Sequence, residues 1–126
     1  MSLGDDAHLP QRVPIDAYGN GGFRFGDMSH RGSILITASG VYAWPVTRLD
    51  EATESSFARI FAERDGLDFV LFGMGRAMGP VPAELRLAFR RHGLGFDPMD
   101  TGAAARTYNV LLAEARRVGA ALIAVD

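Results

Sequence analysis

Between Val13 and Val46 the apolar residues come in short runs cut by Gly, Asn, Asp and Ser. "VPIDAY" (13–18) leads into the turn "GNGG", and in "FRF" Phe23 and Phe25 share one side across Arg24. Alternation of period two, punctuated by turn residues, predicts strands. "GDMSHRG" (26–32) reads as a loop. "SILITA" (33–38) and "VYAWPV" (41–46) read as the arms of a hairpin turned at Ser39-Gly40. Pro45 ends the second arm at a sheet edge, because proline brings no N–H to a ladder.

Beyond Val46 the spacing changes to a helical one. Asp50 or Thr53 is placed to cap a helix running to Asp65, with Phe57, Ile60, Phe61 and Arg64 on one stripe and Gly66 as its stop. "LDFVLF" (67–72) is apolar without a break at its core and predicts a strand buried on both faces. Pro82 and Gly93 bracket a second helix, whose stripe is Leu85, Ala88, Phe89 and His92. "LGFD" (94–97) is a short strand ended by Pro98. Asp100 caps a third helix from Gly102 to Val118, with Ala104, Tyr108, Leu111, Ala115 and Val118 on one side, and "AALIAV" (120–125) closes as a buried strand. A β-rich first third followed by alternating helices and strands predicts an α/β fold with a largely parallel sheet and right-handed crossovers. The N-terminal hairpin strands extend that sheet antiparallel or form a small second layer. Residues 1–12 read as a flexible tail and 13–126 as one domain, without repeats or an internal linker.

Composition narrows the chemistry. A chain of 126 residues is long enough to bury about two-thirds of its unfolded surface in one core. All 13 basic residues are Arg, so neither a Schiff-base lysine nor a P-loop lysine is available. The chain has no cysteine, which excludes disulfides, thiolate catalysis and cysteine-ligated metals. A net charge of −2 carries no footprint for nucleic acid or an anionic membrane. The longest apolar run, "GAALIAV" (119–125), is far short of the roughly 20 residues that cross a bilayer. The segment before Pro14 holds Asp5 and Asp6 and has no basic or apolar leader pattern, so a cytoplasmic protein is expected.

Three stretches carry candidate chemistry. In "LFGMGRAMGP" (71–80) a strand runs into glycines, and Asp97 follows at roughly the distance of a ribose-binding acid. Against a dinucleotide cradle, Pro80 and Pro82 delay the helix and remove N–H donors, and the third glycine is one residue late. Gly73 and Gly75 then serve to turn the chain at a strand's carboxyl end. Ligands of parallel sheets also gather at such ends, where Arg76 could favour an anion. "DTGA" (100–103) matches the aspartic-protease tetrapeptide, but the helical period after it makes Asp100 a cap. In "ARTYNVL" (105–111) Arg106 and Asn109 share a helix face while Tyr108 points to the apolar side. Either the two converge on a neighbouring loop, or Arg106 pairs with Asp97 or Asp100 and Asn109 ties a backbone. His8, His30 and His92 are scattered, with no pair at metal-ligand spacing, and no cofactor is expected.

"IDAYGNGGFRF", "RGSILI", "LFGMG" and above all "MDTGAAARTYNVLLAEARRVGAALIAV" resemble a family of small domains of unknown function. It has archaeal and bacterial members and includes the mitochondrial respiratory complex I assembly factor 3. The resemblance covers about residues 15–125, and D-T-x-x-A-x-R-T-Y-N-x-L (100–111) is its most specific motif; at 73–75 Met74 stands where the family usually has threonine. It implies a three-layer fold with a mixed central sheet, and an interaction role rather than an enzyme activity. The mitochondrial member acts by binding other assembly factors and complex I subunits. The leading expectation is thus a non-enzymatic module with protein partners, an assembly factor for a respiratory membrane complex, with homodimerisation through an edge strand or helix face open. The alternative is a small-ligand domain for an anion or nucleotide, or an enzyme, whose site lies where Gly73, Gly75 and Arg76 face Thr101, Arg106 and Asn109.

Overall fold

Two sheets and three helices organise residues 8–126, the part of the chain that this computed structural model describes. The strands are β1 (His8–Leu9), β2 (Ala17–Gly19), β3 (Gly22–Phe25), β4 (Met28–Arg31), β5 (Ser33–Thr37), β6 (Gly40–Trp44), β7 (Phe69–Gly73), β8 (Gly95–Met99) and β9 (Val118–Leu122). The helices are α1 (Ala58–Ala62), α2 (Ala83–Arg91) and α3 (Thr101–Ala113). Six strands form the central sheet in the order β1-β6-β5-β9-β7-β8, and β2-β3-β4 form a small antiparallel sheet.

The central sheet is mixed, as expected, but not largely parallel: the N-terminal strands join it antiparallel, and parallel pairing is confined to β9-β7 and β7-β8. The β1-β6, β6-β5 and β5-β9 pairs are antiparallel. Each face carries its own core. On one face α1, the turn before it and α2 bring Phe57, Phe61, Leu85 and Phe89 against Trp44, Val70 and Phe72. There Phe57 meets Trp44, Phe72 and Phe89 edge to face, with ring centroids 5.3, 5.6 and 5.1 Å apart. On the other face α3 and the small sheet bring Ala104, Tyr108, Phe23 and Phe25 against Ile34, Ile36, Leu71 and Leu122. The result is three layers, with the sheet in the middle.

Several elements differ from the sequence reading. Within the expected tail, His8–Leu9 pairs with Tyr42 and Val41 as β1; residues 1–7 of that tail lie outside the described residues. The expected loop 26–32 contains β4, whose register puts His30 opposite Phe23. The long first helix is broken into a 3-10 turn (Glu54–Phe57), α1 and another 3-10 turn (Arg64–Gly66). Thr53 starts it, its N–H donating to the Ser56 hydroxyl at 3.1 Å. Pro98 lies inside β8 rather than ending it, which β8 tolerates as an edge strand. The third helix stops at Ala113, not Val118. Ala115 takes φ +59°, its N–H donates to the Leu112 carbonyl, and the Arg116 N–H donates to the Leu111 carbonyl. That double bond pattern is a Schellman stop with alanine where glycine is usual.

Candidate functional site

Thr101, the first residue of α3, is fully buried and laces three strand ends together. Its hydroxyl accepts from the Gly75 N–H at 3.0 Å and donates to the Ile123 carbonyl at 2.7 Å. Its own N–H donates to the Gly75 carbonyl at 2.8 Å. Met74 N–H to Met99 carbonyl and Ile123 N–H to Gly73 carbonyl continue the ladder past the ends of β7, β8 and β9. Successive helices here leave β7 and β8 toward opposite faces of the sheet. In such folds the crevice between those two strand ends is where ligands sit; in this chain backbone bonds close it.

The two glycines have different reasons to be there. A Cβ at Gly73 would lie 3.0 Å from the Cα of Thr101 and 2.9 Å from the Leu122 Cδ2, so α3 can approach only a bare backbone. Gly75 takes φ +109°, in open space, to turn the chain out of the sheet. Arg76 beyond it is exposed and borders an open cleft of about 460 Å³ with Arg48, Leu49, Ile123 and Asp126.

Arg106 and Asn109, in the middle of α3, instead contact the N-terminal segment at Ile15 and Tyr18. The Asn109 side chain donates to the Ile15 carbonyl and accepts the Ile15 N–H, both at 2.8 Å. Beside it the buried Tyr108 hydroxyl donates to the Val13 carbonyl at 3.0 Å, and burial pushes the phenol above its ordinary pKa. Arg106 donates to the Tyr18 hydroxyl at 3.0 Å, in place of the expected Asp97 or Asp100. Asp100 is the cap its position predicts, accepting from the Ala103 N–H at 2.9 Å. Thus Gly73, Gly75 and Thr101 are brought together at the strand ends. Arg76 faces its own cleft, which Arg106 and Asn109 do not line.

Tyr18 and Ser33 are contacts that the sequence reading missed. Ser33, buried in β5, accepts from the Ala124 N–H at 2.9 Å and so ties the chain beyond β9 to the start of the hairpin. Buried His30 contacts the Ser33 carbonyl at 3.3 Å through Nε2, and its burial lowers the imidazole pKa. At the surface, the hydrogen bond from Arg117 lowers the pKa of Asp68, and that from the Thr47 backbone lowers that of Glu51. Among the described residues no group of three or more His, Cys, Asp or Glu could hold a metal ion. No helix there is long and apolar enough to cross a membrane.

Residues 15–123 match the family described as Protein of unknown function (DUF498/DUF598). An uncharacterized protein of Rhodobacter capsulatus is 41% identical over 111 residues, covering 88% of this chain and 84% of that one. NADH dehydrogenase (ubiquinone) 1 alpha subcomplex assembly factor 3 of Rattus norvegicus is 31% identical over 115 residues. That match takes in 91% of this chain but 62% of the rat protein, so the chain spans less than two thirds of this relative. Among solved structures, an outer membrane protein from Bartonella henselae superimposes with a TM-score of 0.89 at 49% identity, over 94% of this chain and 100% of that one. The chain is thus similar both to a bacterial protein and to a mammalian complex I assembly factor, and it belongs to the DUF498/DUF598 family.

Proposed function

We propose that this chain is a non-enzymatic interaction module of the cytoplasm that helps assemble a respiratory membrane complex. The observation that carries the reading is its likeness, over 91% of its length, to an assembly factor of NADH dehydrogenase. The geometry supports it from another side. The polar groups with the best claim to ligand chemistry, on Thr101 and Asn109, bond to the chain's own backbone and hold its ends in place.

The test is affinity purification of the tagged full chain, crosslinked in the cells that encode it. NADH dehydrogenase subunits are quantified against an unrelated tagged control. Enrichment of those subunits, with loss of the full-size complex on native gels when the gene is deleted, is expected. No enrichment and an intact complex would overturn the assembly reading. A saturable thermal shift with a nucleotide or inorganic anion, abolished by Arg106→Ala in a folded variant, would replace it with a ligand-binding domain.

A further inference from the structure

Beside the outer edge of the central sheet, α2 and β8 leave a groove of about 250 Å³ lined by Arg86, Phe89, Arg90, Leu94 and Phe96. Its wall is aromatic: the Phe89 and Phe96 rings stack 4.2 Å apart at 17°, and Phe96 is only half-buried. The volume is below the roughly 300–1,000 Å³ of small-molecule sites and suits one large side chain. Arg86 and Arg90, one helical turn apart, are both exposed. Among the described residues neither bonds a carboxylate, whereas the next arginine, Arg91, is held by Glu54 at 2.6 Å. The acids nearest in sequence do not line the groove: Glu84 is outside it. Asp97 has the parity of Met99, which packs on the opposite face of the sheet.

The backbone of β8 adds a third element. Gly95 N–H donates inward to Asp68, and the Met99 carbonyl accepts inward from Met74. By the alternation of a parallel ladder, Phe96 and Pro98 turn their backbone groups outward. Phe96 thus offers an N–H and a carbonyl to an incoming strand, and Pro98 offers a carbonyl alone. The edge accepts a short extended segment but resists continuous pairing with another copy of β8.

Resting on the interaction reading above, we infer that this edge is the docking site for an extended acidic segment of a partner protein. The segment pairs its backbone with Phe96, inserts one Leu or Phe side chain into the groove, and sets flanking carboxylates on Arg86 and Arg90. Backbone bonds and one anchored side chain supply affinity, and the arginines select sign and register.

A synthetic peptide, Glu-Asp-Leu-Phe-Asp-Glu, is titrated into the full chain and followed by amide chemical shifts and fluorescence anisotropy. Saturable shifts centred on Phe96, Arg86 and Arg90 are expected, weakening as salt rises from about 0.05 to 0.5 M. Arg86→Glu with Arg90→Glu should weaken binding roughly tenfold or more while both surface changes leave the fold intact. A Lys-Lys-Leu-Phe-Lys-Lys control should not bind. Shifts centred elsewhere, no saturation, or equal binding of both peptides would overturn the inference, as would binding of the chain to anionic lipid vesicles through the same residues. If the double variant co-purifies NADH dehydrogenase subunits as well as the wild type does, the groove is wrong and the assembly reading stands. If neither recovers them, the assembly reading fails, and the peptide titration still decides the groove.

Discussion

Asn109 grips Ile15 through both of the latter's backbone polar groups, reproducing with a side-chain amide one rung of a β ladder. The clamp joins the middle of α3 to a segment that has no strand partner at that point, and Ile15 itself is buried. Asn109→Ala removes both bonds and leaves two partly buried backbone groups unpaired, which should cost about 1–3 kcal/mol in urea unfolding. Amide exchange at Ile15 should accelerate more than at Leu71. A neutral variant with protected Ile15 would refute the clamp.

Thr101→Val keeps the shape of a fully buried side chain and deletes its hydroxyl. The Gly75 N–H and the Ile123 carbonyl both lose their partner, so a loss of about 2–3 kcal/mol is expected. Thr101→Ser retains the hydroxyl and should cost about 1 kcal/mol, the scale of one buried methyl. Equal losses in the two variants would show that the hydroxyl is not what holds the strand ends.

Gly73→Ala and Gly75→Ala separate the two uses of glycine in one loop. At Gly73 the added methyl meets the backbone of Thr101, so overpacking of about 1–3 kcal/mol and a shift of α3 are expected. At Gly75 the methyl has room, and the cost is backbone strain of about 1 kcal/mol with α3 unmoved. Thermal unfolding with amide shifts along α3 distinguishes the two.

Ala115→Gly should stabilise the protein. Ala115 holds φ +59° at the stop of α3, a conformation that costs an L-residue about 1 kcal/mol and glycine little. The added freedom of glycine in the unfolded chain offsets part of the gain, leaving about 0.5 kcal/mol. Denaturant midpoints of the two proteins check it, and a lower midpoint for the variant contradicts it.

Burial holds His30 below its ordinary pKa of 6.5, opposed in part by its contact with the Ser33 carbonyl. Below about pH 6.5 the unfolded chain takes up this proton before the folded one does, so stability is full above that value. It falls as the pH drops toward the lowered folded value. Unfolding midpoints measured from about pH 7.5 to 5 should decline, and His30→Gln should flatten the decline. An unchanged slope in the variant would assign the effect to other groups.

The elements that could be read from the sequence are those whose cause is local. The β5-β6 hairpin announces itself by β-branched residues on either side of Ser39-Gly40, and α2 is bracketed by Pro82 and a Gly93 that takes φ +71°. The misread ones depend on distant partners. β1 exists because β6 offers it an edge, and polar "MSHR" becomes β4 because His30 and Met28 turn inward beside β3. Ala115 is a strong helix former, so nothing nearby signals that α3 ends before it. The candidate residues divide in the same way. Asp100 as a cap follows from its neighbours, whereas the contacts of Arg106 with Tyr18 and of Thr101 with Gly75 join stretches far apart in the chain. A shared helix face could place Arg106 and Asn109 together but could not say what lay opposite.

The position of β9 makes it the keystone of the central sheet. It sits between β5 and β7 in the central sheet, yet follows every other strand in the chain. Without it the hairpin and the β7-β8 pair have no ladder in common, and each has an unpaired edge. Ile34, Leu35 and Ile36 on one side and Leu71 and Phe72 on the other pair with the same strand. The central sheet is therefore two half-sheets that β9 alone makes continuous.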